Sequence, residues 1–363
     1  VQNARTTVFN EHQGNNTWGA YQCYGDPFYV LKKIRKDNAP SKPILADAEE
    51  AVTELDNLLN GIDTAGMRTA DKEALLKKIS GWENNVEMFC SDSRVMEKIA
   101  EAYAKAGDLK TAVARYEQVF RSETAKYSVR AIEQCFNLRV RLLAEQAELD
   151  ADGLNIEDTI GQLNGYIQEM EAFNRIYPSS ERLSLVGSAY KRAFMIHPQT
   201  ESLKKAEKAY YESWQYDRRH PDRRSNMYYP FFNWAMAYAL LEVAGQNLPQ
   251  HKPAEADLKQ ALAEAEALDA QKPDFWNKTA PSMGYAYQLI KAKDAAKRKR
   301  LIEQLEDNFR EAWKTEGNES NRKSHLDQFR FIICALSLKK DEKAVAAKIT
   351  TFEAVMAVIG GIR

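Results

Sequence analysis

"SDSRVMEKIAEAYAKAGDLKTAVARYEQVF", residues 91–120, is the stretch whose reading decides the fold. Met96, Ile99, Ala100 and Tyr103 return at helical spacing, and after Gly107 the same rhythm resumes with Ala112 and Tyr116. That period predicts two amphipathic helices joined by a tight turn at Gly107. Ala100 and Ala112 are small enough to let the two helices approach closely, and Tyr103 and Tyr116 are large enough to fill the groove beside them. Such a pair cannot bury its apolar faces alone, so further pairs must stack on it.

Those further pairs are visible. "ERLSLVGSAYKRA" (181–193) places Leu183, Val186, Gly187 and Tyr190 in matching positions. Its partner "ESLKKAEKAYYESW" (201–214) supplies Ala206 and Tyr210 after several extra residues around "FMIHPQT". A weaker copy, "APSMGYAYQLI" (280–290), carries Gly284 and Tyr287. The spacing is that of a tetratricopeptide repeat, one clean copy and two degenerate ones, and it predicts a curved solenoid.

The period stays helical on both sides of these copies. Within "PILADAEEAVTELDNLLNGI" (43–62), Val52, Leu55, Leu59 and Ile62 form one stripe, with Gly61 as a stop signal. Leu301, Leu305, Phe309 and Ala312 form another, and Val345, Ile349, Phe352 and Met356 a third, followed by Gly360 and Gly361. Roughly a dozen helices joined by short loops are expected, with no strand after residue 43.

Residues 1–40 read differently. "TWGAYQCYGD" alternates bulky with small or polar residues, "GDP" signals a turn, and "FYVLKKI" suits a second strand. "DNAPSKP" (37–43) then reads as a linker. One hairpin is too little to fold by itself, so this segment reads as the edge of another domain. The expected division is therefore 1–40, an edge and linker, and 41–363, an all-α repeat region.

Bulk properties narrow the function. The chain has 363 residues, 44% hydrophobic and 28% charged, the balance of a folded globular protein. A net charge of −1 gives no global attraction for nucleic acid or anionic membrane. No apolar run is read as reaching the roughly 18–20 residues a membrane-spanning helix requires, and no signal peptide is visible at VQNARTT. The four cysteines, Cys23, Cys90, Cys135 and Cys334, lie far apart, which favours reduced thiols and a cytoplasmic location. Cys90, Cys135 and Cys334 read as small core residues.

Catalytic and metal readings find little support. His12 and Cys23 could be taken for a nucleophile pair, but nothing in their spacing brings them together, and a strand cysteine beside a surface histidine is preferred. The five histidines are scattered, no GxxxxGK[ST] phosphate loop occurs, and carboxylate pairs such as those in "EAEALDA" (264–270) read as solvated helix faces. No cofactor and no metal is expected.

Two basic clusters remain. "KAKDAAKRKR" (291–300) reads as a solvated helix end. "YDRRHPDRR" (216–224) is framed by Tyr211, Trp214, Tyr228, Tyr229 and Trp234. Arginine and aromatic residues are enriched at binding hot spots and also suit phosphate recognition. Arg218, Arg219, Arg223, Arg224, Tyr228 and Tyr229 are therefore the candidate partner-binding set, weighed against a core role for the aromatics and a covering role for the arginines. Trp234 is assigned to the core.

The opening segment carries a family resemblance. "NTWGAYQCYGDPFYVL" (16–31) resembles the C-terminal edge of the CHAT domain, the caspase-like cysteine peptidase fold of many bacterial proteins. "YPSSERLSLVGSAYKRA" (177–193) and "MYYPFFNWAMAYAL" (227–240) resemble landmarks of the helical region that follows it, which is also similar to the TRAF-binding helical segment of apoptosis-signal-regulating kinases. The resemblance implies that 1–40 holds a strand or hairpin remnant of a caspase-like α/β domain, and that the catalytic His and Cys lie upstream. It implies a partner-binding, regulatory region of a CHAT peptidase in a bacterial stress or conflict response. The partner would be the peptidase domain itself, a sensor or a substrate protein, with a homo-oligomer allowed, membrane excluded and nucleic acid disfavoured. Two alternatives stay open: a C-terminal half that is active only with a separated catalytic half, and a nucleic-acid or phosphate-binding module using the 218–224 arginines.

Overall fold

A computed structural model describes residues 45–62, 69–121, 126–149, 155–223, 228–272, 274–317 and 319–362. The strands expected in 1–40, and with them His12 and Cys23, lie outside the described residues. Among those described, every regular element is helical: fourteen α-helices and three short 3₁₀ turns.

The clean repeat folds as its spacing predicts. Helix α1 (Ala48–Asn60) starts where the Asp47 side chain accepts the Glu50 backbone N–H at 2.9 Å, satisfying one of the orphan donors of the first turn. After α2 (Thr69–Asn85) come α3 (Ser93–Lys105) and α4 (Leu109–Phe120), packed on each other. Gly107 turns the chain between them at φ +77°, a conformation that costs a side-chain-bearing residue about 1 kcal/mol or more. Ile99, Ala100, Tyr103, Ala112 and Tyr116 are all buried in the core that α1–α4 share with the start of the next helix.

Five further pairs follow: α5 (Val129–Leu149) with α6 (Ile156–Ile176), α7 (Ser180–Ile196) with α8 (Thr200–Arg219), α9 (Tyr228–Val243) with α10 (Glu255–Gln271), α11 (Phe275–Lys291) with α12 (Ala295–Glu316), and α13 (Glu319–Leu336) with α14 (Lys343–Gly361). The repeat glycines sit where helices nearly touch. A Cβ on Gly187 would lie 2.8 Å from the buried Tyr210 ring, and one on Gly284 would lie 2.8 Å from Leu262 and 3.1 Å from Phe232. Helix α9 is buried on all sides, from Pro230 through Leu241, and so acts as the post on which α8, α10 and α11 pack. Trp234 is 1% exposed, and its Nε1 donates to Glu207 at 2.7 Å.

Two findings go beyond an open solenoid. Helix α13 returns to pack on α9 and on α7, the latter more than a hundred residues earlier in the chain. Ion pairs also join it to α5: Lys323 to Glu145 at 3.1 Å, and Arg330 to Glu148 at 2.8 Å. The second finding corrects the hydropathy reading. Among the described residues, α14 alone is long and apolar enough, by length and composition, to cross a membrane. Val345, Phe352, Val355 and Ile359 bury one stripe of it in the core beside α12 and α13, while its other faces carry mostly alanine, threonine and glycine. Small, weakly apolar residues raise the mean hydropathy without forming a continuous bulky run, which is why the sequence did not flag it.

Candidate functional site

The return of α13 encloses a cavity of about 770 Å³, within the range of small-molecule sites. Its wall comes from the first helix of each of the five pairs, α5, α7, α9, α11 and α13, plus Ile156 at the start of α6. Helices α8, α10, α12 and α14 contribute nothing to it. On α7 the lining residues include Ser184, Ser188, Lys191 and Met195, steps of four, three and four that define one helix face. Aromatic surface is supplied by Tyr228, Tyr229 and Phe232 of α9 and by Trp276 of α11. Tyr229 and Trp276 are 44% and 50% exposed, so the aromatic side of the cavity is accessible.

The wall carries charges of both signs, Arg141, Lys191, Arg192 and Lys323 with Glu145, Glu148, Glu181 and Asp327, but among the described residues Lys323 is the cation of this set that an ion pair ties to carboxylates. Arg141 has no hydrogen-bond or ion-pair partner among the described residues, and burial and the nearby Arg192 push its pKa below the usual arginine value, partly offset by Glu145 and Asp327. Among the described residues Arg192 donates only to the backbone oxygen and hydroxyl of Ser188. Lys191 donates to Asn233 Oδ1 at 3.0 Å and to Gln328 Oε1, both uncharged, and its Nζ lies 5.0 Å from the Phe331 ring centroid. Burial, reinforced by Arg192 and only partly offset by Asp327, lowers the Lys191 amine to about 7.

Two donor or acceptor atoms in the same wall are orphaned. Gln328 Nε2 and His325 Nε2 are buried with no hydrogen-bond partner. His325 is 5% exposed among Phe275, Phe309 and Phe329, and burial lowers it to about 4, so it is neutral at physiological pH. Buried polar groups in native proteins are normally satisfied, so two orphans in one cavity wall are compatible with a place that receives a polar ligand. Arg141, Lys191 and Arg192 make no ion pair with the carboxylates of this wall among the described residues, which leaves them open to an anion, and the tyrosines and Trp276 offer a flat apolar surface beside it.

The predicted binding segment is divided by the fold. Tyr228 is buried and lines the cavity, with its hydroxyl donating to Asn277 Oδ1 of α11 at 3.1 Å. Tyr229 faces the cavity. Arg218 and Arg219 lie exposed in the last turn of α8. Arg218 sits 4.7 Å from the Trp214 ring and 3.8 Å from Asp257 of α10, and it borders a separate small cleft. The Arg219 Nε donates to Gln215 O at 3.2 Å. Arg223 ends a short 3₁₀ turn, and Arg224 lies outside the described residues. The two tyrosines therefore belong to the cavity, and Arg218 to the α8–α10 seam.

Sequence reasoning missed Arg141, Lys191, Arg192, Asn233, His325 and Gln328. The one available signal was the polar face of α7, which shares its spacing with an apolar stripe. Of the cysteines, Cys135 is buried and Cys90 and Cys334 are half-buried, and burial raises all three thiols, that of Cys135 to about 12. Among the described residues no three His, Cys, Asp or Glu side chains gather as a metal site.

The architecture is that of a tetratricopeptide-type helical-repeat protein, a class that generally mediates protein–protein interaction. In agreement, residues 130–241, which run from α5 into α9, match the family model described as Tetratricopeptide Repeats-Sensor. The matched segment is the part that supplies three of the five cavity-lining helices. No curated protein and no solved structure matches the chain.

Proposed function

We propose that this chain is a ligand-responsive regulatory module: a helical-repeat region that takes a small anionic ligand into the α5–α13 cavity and relays its presence to a protein partner. The observation that carries the reading is the set of cavity cations, Arg141, Lys191 and Arg192, that make no ion pair with a carboxylate among the described residues although acids line the same wall. The description of the matched family as a sensor supports it. The resemblance of residues 16–31 to the edge of a CHAT domain supplies the partner: a caspase-like peptidase domain, acting in the bacterial cytoplasm in a stress or conflict response. The exposed Arg218 and Arg219 offer the contact surface, on a different seam from the cavity.

Thermal unfolding with inorganic phosphate and pyrophosphate as probes tests the reading. Binding to the folded state alone raises stability by RT ln(1 + [L]/Kd), about 2.7 kcal/mol at a hundredfold excess over Kd. The wild-type chain is expected to gain stability with increasing pyrophosphate, and Arg141→Ala/Arg192→Ala is expected to lose that gain. Equal gains in both proteins would place the anion elsewhere and end the cavity reading.

A further inference from the structure

We infer that Lys191 is a carbonyl-capturing amine, so that the ligand of this cavity is an anionic aldehyde or ketone held as an imine on Lys191 Nζ. The inference rests on the cavity being a ligand site and adds the chemistry of that ligand.

The hydrogen bonds around Lys191 favour the amine over the ammonium. An ammonium presents three N–H donors, whereas a neutral amine presents two and keeps a lone pair. The structure supplies two acceptors, Asn233 Oδ1 from α9 and Gln328 Oε1 from α13. No carboxylate lies within ion-pair distance of Nζ among the described residues; Asp327 on α13 is the acidic group whose field reaches it. Arg192 on α7 adds positive charge beside it, and Arg141 on α5 adds more to the same wall. The rings of Phe331 and Tyr210, 5.0 and 6.0 Å from Nζ, keep water off its far side. A lysine both desolvated and next to another cation is the environment that makes an amine nucleophilic at neutral pH. Its lowering to about 7 agrees with this.

The same wall provides for the electrophile. Gln328 holds Lys191 with its oxygen, and its Nε2 is buried without an acceptor, next to the place where a carbonyl oxygen would arrive. Arg141 and Arg192 would take the ligand's anionic group. In the step, the Nζ lone pair adds to the carbonyl carbon and the C=O π electrons move to oxygen. A proton passes from nitrogen to that oxygen, giving a carbinolamine. The C–O bond then breaks, water leaves, and C=N forms. One amine and one carbonyl become one imine and one water, with no oxidant or reductant. Hydrolysis reverses the step, so occupancy follows ligand concentration.

Pyridoxal 5′-phosphate, an aromatic aldehyde with a phosphate, serves as the probe. The full chain is incubated with less than one equivalent near neutral pH, reduced with borohydride, and mapped by peptide mass spectrometry. Lys191 is expected to be modified on the order of tenfold faster than surface lysines, whose amines are almost wholly protonated at that pH. Pyrophosphate should slow that labelling. Lys191→Arg should abolish it while keeping a normal circular dichroism spectrum and the pyrophosphate-induced gain in thermal stability. Labelling of Lys191 no faster than surface lysines, with the pyrophosphate effect intact, overturns the imine and leaves the anion cavity standing. Absence of both effects in the wild-type chain overturns the cavity reading together with the imine.

Discussion

The α1–α4 region and the cavity wall of the α5–α14 region are built from the same helix pairs but treat charge differently. In the first, Glu83 on α2 accepts Arg115 Nε from α4 and the Tyr103 hydroxyl from α3 at 2.8 Å, so a half-buried cation, anion and hydroxyl complete one another. In the second, Arg141 feels the fields of Glu145 and Asp327 but makes no hydrogen bond or ion pair among the described residues, and the wall nitrogens His325 Nε2 and Gln328 Nε2 are left without a bond. The first region carries the clean repeat of the sequence, whereas the match to the Tetratricopeptide Repeats-Sensor model lies in the second, on residues 130–241. Consensus positions in such repeats satisfy packing. On the inner faces of α5, α7, α9, α11 and α13 packing leaves space instead.

The largest expected effect tests whether the second region is built on α9. Trp234→Ala removes a fully buried ring stacked on Trp214 at 4.7 Å and withdraws the indole N–H from buried Glu207. Unfolding in urea should show a loss of about 3–5 kcal/mol. A loss below about 1 kcal/mol would mean that α9 is not the supporting post.

The next effect uses acid. His325 titrates near 6.5 when exposed and at about 4 in the fold. Between those values the unfolded chain binds a proton that the folded chain refuses, so this residue's part of the stability falls as pH drops through that window. Relative to His325→Phe, the wild-type chain should lose on the order of 3 kcal/mol on going from about pH 7 to about pH 4. Urea denaturation at both pH values checks this, and parallel curves for the two proteins would refute it.

The smallest effect is a pair of opposite signs, and it sharpens the comparison most directly. Arg115→Met strips Glu83 of its cation and should destabilise by about 1 kcal/mol. Arg141→Met removes an unpartnered charge from a cavity wall and should stabilise by up to about 1 kcal/mol. If both substitutions destabilise equally, the two regions handle charge alike and the distinction fails.

The helices were legible because a repeating apolar face is a local signal. Gly107, Gly187 and Gly284 could be read from their place in the repeat, and each meets a turn or a close approach in the structure. The cavity was not legible for a physical reason. Ser184, Ser188 and Lys191 recur at the spacing of an inner face, yet polar residues at that spacing read as a solvated one. His325 and Gln328 reach the same wall from a helix whose return to α7 no local pattern announces. Conversely, Arg218 and Tyr229 look like one cluster in sequence, but the fold sends the first to α10 and the second to the cavity.

The docking of α13 on α7 and α9 also sets the order of events during synthesis. An open repeat array can grow by adding each pair to its neighbour, because every contact is local. Here the pairs from α1 to α12 can assemble in that way as they leave the ribosome, but the last wall waits for α13, and its ion pairs to α5 span 178 and 182 residues. Contacts of such long sequence separation are the slow ones to form. Until α13 docks, the nascent chain holds a half-built groove with Arg141 and Lys191 open to water, where their charges cost nothing. The cavity thus closes only once α13 has been made and has docked.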